Sequence, residues 1–116
     1  MDNSFIFEKA NSVEKAQELI HSQPFDCIVS NYFMPRVNGV DFCEKLRAEG
    51  CDTPFILFTV QDDKKVLERA LSFGVDDYLE KEPSLEINAV LAEKIKSLVS
   101  RHRSEHLNQW KYAHAN

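Results

Sequence analysis

Phe55-Ile56-Leu57-Phe58 is the most apolar run in the chain, and no polar residue interrupts it. A half-buried strand alternates in polarity. A strand covered on both faces does not, and such cover belongs to parallel sheets. Pro54 introduces the run and Thr59 ends it. The stretch Asp26–Asn31 behaves alike: a short apolar run with β-branched residues that gives way to Ser30 and Asn31. Pro35 and Asn38-Gly39 then signal a turn. Phe5-Ile6-Phe7 and Val75–Glu80 are shorter strand candidates.

Helical spacing fills the intervals. Val13, Ala16, Leu19 and Ile20 form one stripe, with Asn11 and Glu14 as a capping box and Pro24 as the stop. Val40, Cys43 and Leu46 point inward on the next helix, with Asp41, Glu44, Lys45 and Arg47 mostly outward and Gly50 closing it. Asp62 caps a third, striped by Val66, Leu67, Ala70 and Leu71 and stopped by Gly74. Ser84 starts a long fourth one with Ile87, Leu91, Ile95 and Leu98, and the stripe weakens through His102, Leu107 and Trp110. Strand then helix, four times over, implies an α/β fold with a parallel sheet and right-handed crossovers.

At 116 residues the chain is one domain's worth. Residues 1–100 carry the alternation, and 101–116 read as a helical extension or linker. The net charge of −5 argues against nonspecific binding of nucleic acid. No apolar run suits a membrane span, and Met1-Asp2-Asn3-Ser4 is not the start of a signal peptide, so a cytoplasmic protein is expected. Cys27, Cys43 and Cys51 lack metal-ligand spacing and are expected to be reduced. Asp62-Asp63 suits a helix start and Asp76-Asp77 a solvent turn better than either suits a metal site. His102, His106 and His114 lie in the tail, where a solvated helix face is the expectation. Residues 94–116 carry +4, leaving −9 for the rest. That asymmetry fits a helical spacer to a further domain, an acidic partner, or a stripe that pairs helices between two chains.

Three consecutive strands end in Asn31, Thr59 and Lys81. The carboxyl ends of parallel strands lie on one edge, about 5 Å apart, where ligands of open α/β sheets bind. A carboxamide, a hydroxyl and an ammonium would meet there. With an aspartate at position 31 this would be a phosphoryl-acceptor site: the carboxylate as nucleophile, Lys81 pairing with phosphoryl oxygens and Thr59 hydrogen-bonding one of them.

The chain resembles the receiver domain of two-component response regulators. The resemblance rests on Asp26–Asn31 with Met34-Pro35 and Gly39, on Pro54–Thr59, on Ala70-Leu71 with Gly74, and on Asp76-Asp77-Tyr78-Leu79 with Lys81. Ser30-Asn31-Tyr32 and Pro54–Thr59 are most similar to receivers attached to archaeal sensor kinases. The resemblance implies a flavodoxin-like sheet, an aspartyl phosphate at the end of the central strand, bound Mg²⁺, and a histidine kinase or a further domain as partner. It implies that position 31 is the acceptor, Thr59 the switch hydroxyl, Lys81 the phosphate-pairing lysine and Tyr78 the switch aromatic or its neighbour.

Three departures stand out. The acceptor position holds Asn31, and a carboxamide is neither a phosphoryl nucleophile nor a good Mg²⁺ ligand. No counterpart of the family's opening strand and helix, which carry its acidic metal-binding pair, precedes Phe5. Glu82 separates Lys81 from Pro83, which rules out a cis Lys–Pro bond. The expectation is a degenerate receiver: not an enzyme, without a cofactor, not phosphorylated at residue 31, acting as an interaction or dimerisation module. The alternative is a fragment of a receiver that accepts phosphate when complete and with Asp at position 31. In the family's sheet order, 2-1-3-4-5, the missing strand lies between the first two seen here. Its loss would leave a gap or force residues 5–8 onto 26–31. It would also bare part of one sheet face, which favours a homodimer, with exchanged elements as one form.

Overall fold

A computed structural model describes residues 5–34, 36–59, 64–80, 87–99 and 110–115. In chain order the elements are β1 (Phe5–Ala10), α1 (Val13–Ser22), β2 (Cys27–Asn31), α2 (Gly39–Ala48), β3 (Phe55–Thr59), α3 (Lys64–Ser72), β4 (Asp77–Glu80), α4 (Ile87–Val99) and β5 (Trp110–Ala115). Among the described residues all five strands join one sheet in the order β1-β5-β2-β3-β4, and every pairing is parallel.

The two apolar runs are central strands buried on both faces, as their lack of alternation requires. Period 2 divides their side chains. Ile28, Phe55 and Leu57 join α1, α2 and α3 through Val13, Ala16, Phe42, Leu46 and Ala70. Cys27, Val29, Ile56 and Phe58 face Leu91, Ile95, Leu98 and Val99 of α4. Phe42 and Phe55 are both fully buried and meet edge to face, with ring centroids 5.9 Å apart. Each such ring adds about 1.5–3 kcal/mol by leaving water.

The last strand differs from the sequence expectation. The helical pattern expected as far as Trp110 is not what the tail adopts: Trp110–Ala115 is a strand, and residues 100–109 lie outside the described ones. Nor is there a gap beside β1, or direct β1–β2 pairing. β5 sits between them, with Phe5 opposite Trp110 and Cys27 opposite Tyr112. The weakening stripe through His102, Leu107 and Trp110 suggests a helix, but Tyr112 and His114 alternate with Ala113 and Ala115 as a strand does, and two ladders of backbone bonds decide the matter.

Helix ends follow local chemistry. Ser12, not Asn11, caps α1: its hydroxyl accepts from Lys15 N at 3.1 Å. Both residues can cap, and burial of Val13 and Ala16 sets the phase. Asn38 caps α2 through Asp41 N at 2.8 Å. Gly50, at φ +89°, follows the C-cap of α2, and Cys51 N returns to Leu46 O. The expected cap Asp62 and the helix start at Ser84 lie outside the described residues.

Arg47 and Asp76 also depart from expectation. Arg47 does not face solvent. Its guanidinium donates to the carbonyls of Gly74, Cys51 and Thr53 and to Asp76 Oδ2 at 3.1 Å. Asp76 Oδ2 in turn accepts from Phe55 N at 2.8 Å. Asp77 pairs with Lys94 of α4 at 3.0 Å. The acidic pair therefore ties the start of β3 and β4 to α2 and α4, away from the strand ends that carry Asn31 and Thr59.

Candidate functional site at the carboxyl end of the sheet

The end of β2 is shaped by a tight return of the chain. Tyr32 N donates to Phe58 O at 2.7 Å, which carries the β2–β3 ladder one residue past Asn31. Gly39 N then donates to Tyr32 O at 2.7 Å, folding the intervening loop back onto the strand. The return requires glycine. A Cβ on Gly39 would stand 2.5 Å from Asn31 O and 2.6 Å from Leu57 Cδ1. Within the loop Arg36 adopts φ +73°, a left-handed conformation that costs a non-glycine residue about 1–2 kcal/mol. Ser30 is fully buried, and its hydroxyl donates to Asn31 O at 2.9 Å.

Asn31 is half-buried at the strand end. Its Oδ1 lies 3.4 Å from Nε2 of His114, on the neighbouring β5. The carboxamide oxygen can only accept, so a hydrogen bond here calls for the His114 tautomer with its proton on Nε2. The His114 ring packs edge-on against Phe58, with centroids 5.5 Å apart. Asn31, Phe58 and His114 thus share one face of the sheet, consistent with the registers Asn31–Phe58 and Val29–His114. Thr59, 5% exposed, is one residue beyond Phe58 and pairs in register with Glu80. Tyr78 lies on β4 opposite Leu57, 39% exposed. Lys81 falls outside the described residues. Asn31 and Thr59 therefore end adjacent strands as expected.

His114 was not anticipated as a neighbour of this site. Its alternation with Tyr112 is a strand signal, but the stripe through His102, Leu107 and Trp110 carries a helix toward the same residues. Two further features rim the strand end. Phe33 is 67% exposed and meets Tyr32 edge-on at 4.8 Å. A small groove of about 150 Å³ between α2 and α3 is lined by Tyr32, Asn38, Val40, Lys65, Val66 and Arg69.

The thiols take no part in this site. All three cysteines are free. Burial is the main cause that pushes the Cys27 thiol far up and the Cys43 thiol up to about 11, so both stay protonated at neutral pH. Among the described residues no three His, Cys, Asp or Glu side chains come together as a metal site would need.

The chain is similar in sequence and in fold to known proteins. Residues 2–92 match the family model of the response regulator receiver domain. The response regulator MprA of Mycobacterium ulcerans is 33% identical over 103 residues, covering 89% of this chain and 43% of that protein. The chain thus spans less than half the length of that curated relative. The receiver domain of a signal transduction histidine kinase from Syntrophus aciditrophicus has a TM-score of 0.66 at 29% identity, over 84% of this chain and 74% of that one. The Francisella response regulator 1452 receiver domain superposes with a TM-score of 0.72 over 87% of this chain and all of that one; at 21% identity this is a likeness of fold. A parallel sheet with strand ends at Asn31 and Thr59, and a family match across both, lead to one conclusion: this chain belongs to the response regulator receiver domain family.

Proposed function

We propose that this receiver domain relays signals through protein contacts and does not accept a phosphoryl group at residue 31. One observation carries the reading. At the acceptor strand end the side chain is a carboxamide, and its oxygen is engaged by His114. An amide oxygen has neither the charge nor the nucleophilicity for phosphoryl attack. The donor set is also wrong for Mg²⁺, which favours carboxylate and phosphate oxygens in octahedral order; among the described residues the side-chain donors meeting there are an amide and an imidazole. No step through a metal is derived.

Interaction is then the role left to the surface. Exposed Phe33 stands at the rim of the loop that holds the acceptor position, and Tyr78 is partly exposed on β4. By sequence Thr59 and Tyr78 correspond to the family's switch pair and Lys81 to its phosphate-pairing lysine, which supports the reading of a receiver motif without its nucleophile. The partners are a histidine kinase, a further domain of the same protein, or a second copy. Among the described residues no helix is long and apolar enough to cross a membrane. A cytoplasmic, non-enzymatic module fits these features.

Acetyl phosphate labelling tests the reading. With Mg²⁺ present, the wild-type chain is expected to take up no acid-labile, base-sensitive phosphate. Label mapped to the peptide that contains residues 26–39 would refute it.

A further inference from the structure

A cavity of about 310 Å³ opens at the amino edge of the sheet, away from Asn31 and Thr59, between the carboxyl ends of α1 and α2. Ile20 of α1, Pro24 and Phe25 before β2, and fully buried Ile28 within β2 give it an apolar interior. Exposed His21 and Glu49 stand at its rim. A Cβ on Gly50 would meet nothing within 4 Å, so the rim is open there. The walls are held by bonds that need no occupant. Arg47 donates to the carbonyls of Cys51 and Thr53, Ile28 N donates to Pro54 O at 2.8 Å, and Gln23 N closes α1 on Leu19 O. A preformed apolar interior with a few polar groups at its mouth is the build of a small-molecule site, and this volume falls at the lower end of that class.

The electrostatics select the sign of the ligand. Both helices end here, and their C-cap residues, Gln23 and Glu49, belong to the lining. Each helix end carries about half a negative charge. Glu49 adds a carboxylate, and Asp26 and Asp52 directly follow the lining residues Phe25 and Cys51. Arg47 is not in the lining, and Asp76 meets its charge. His21 is the basic side chain of the lining. Its Nε2 lies 3.5 Å from Glu49 Oε1, with the two side chains 63% and 37% exposed. A pair so exposed is weak and gives way to a competing cation. A metal ion does not fit, because among the described residues no three His, Cys, Asp or Glu side chains come together. An organic cation with an apolar body satisfies both the rim and the interior.

We propose that this cavity binds a small organic cation, with its ammonium on Glu49 in place of His21 and its apolar body against Phe25 and Ile28. The inference is independent of the chemistry at residue 31.

Three probes of one shape test it on the full chain: 3-phenylpropylamine, the corresponding alcohol and 3-phenylpropionate. Each has about ten non-hydrogen atoms, enough for a dissociation constant of about 1 mM or below. Amide chemical shifts of the isotope-labelled chain locate the probe. The rate at which Ellman's reagent modifies Cys51, the partly exposed thiol beside buried Cys27 and Cys43, reports occupancy. The amine is expected to bind saturably, to shift the amides of Gln23, Phe25, Gly50 and Cys51, and to protect Cys51. The alcohol should bind about five- to tenfold more weakly, and the propionate more weakly still. Glu49→Gln changes the charge of an exposed side chain and should weaken amine binding by the same factor, with the amide spectrum verifying the fold. His21→Ala should leave amine binding unchanged or tighten it. Equal binding of the three probes, amine binding insensitive to Glu49→Gln, or its loss in His21→Ala overturns the proposal. So does the absence of shifts at these amides up to the solubility limit of the amine.

Discussion

Backbone conformation at two residues governs the loop beneath the acceptor position. Gly39 has no room for a side chain: a methyl group would press on Asn31 O and on Leu57. Gly39→Ala is expected to destabilise the fold by about 1–3 kcal/mol, as overpacking does. Urea unfolding monitored by tryptophan fluorescence and circular dichroism would measure it. Arg36 presents the opposite case. Its left-handed backbone is exposed and carries an avoidable strain. Arg36→Gly is expected to be neutral or to raise stability by up to about 1 kcal/mol, since relief of strain is offset by greater unfolded-state freedom. A lower midpoint in the same experiment would contradict it. Asn38-Gly39 was recognisable as a turn in the sequence, but the closeness of Gly39 to Asn31 was not. That contact depends on how α2 settles on β3, and a dipeptide carries no such information. The same holds for His114, whose partner lies 83 positions away.

Among elements, the junction of α2, β3 and the α3–β4 turn rests on Arg47. A half-buried guanidinium satisfies three carbonyls and a carboxylate that also accepts from the first amide of β3. Arg47→Ala would leave those acceptors dependent on water and is expected to cost about 2–4 kcal/mol. Arg47→Lys should recover little, because an ammonium cannot reach four acceptors in a planar fork. A double-mutant cycle with Asp76→Ala should give a coupling above about 0.5 kcal/mol; additivity would show the two act independently. The strands β2 and β3 and the helices α2 and α3 were legible from their periodicity and caps. Arg47 was not, since a polar residue on the outer stripe of a helix looks the same whether it meets water or a neighbouring loop. β5 was misread for a related reason. Tyr112–Ala115 alternate ring and small side chains over only four residues, right after a helical stripe through His102, Leu107 and Trp110, and only distant backbone partners show where helix gives way to strand.

For the whole molecule, the buried thiols link stability to pH. Burial raises the Cys43 pKa from 9.0 to about 11, with Arg47 opposing and Asp76 assisting, and raises that of Cys27 further. A folded-state pKa raised above the unfolded value means that the folded protein holds the proton more tightly. The associated stability is complete below pH 9.0 and is lost as pH rises toward about 11. The urea midpoint should therefore stay level from neutrality to pH 9.0 with respect to these groups, then fall. The slope contributed by each group is at most about 1.4 kcal/mol per pH unit. Cys43→Ala should flatten the alkaline limb even if it lowers stability overall. An unchanged slope would show that this thiol does not ionise on unfolding in that range. The parallel α/β architecture itself followed from two unalternating apolar runs, whereas completion of the sheet by β5 needed the three-dimensional structure.

The place of β5 also orders events in time. Phe5 and Trp110 are neighbours in the sheet but stand at opposite ends of the sequence. On a ribosome, β1 and β2 emerge early and then wait for the strand that joins them. Closing a loop of about a hundred residues is slow, and partners so far apart in sequence delay the final step of folding. Throughout that wait both strands present open edges, which are templates for other chains. A nascent chain of this domain is thus most vulnerable to aggregation, and most in need of a chaperone, until Trp110–Ala115 has emerged.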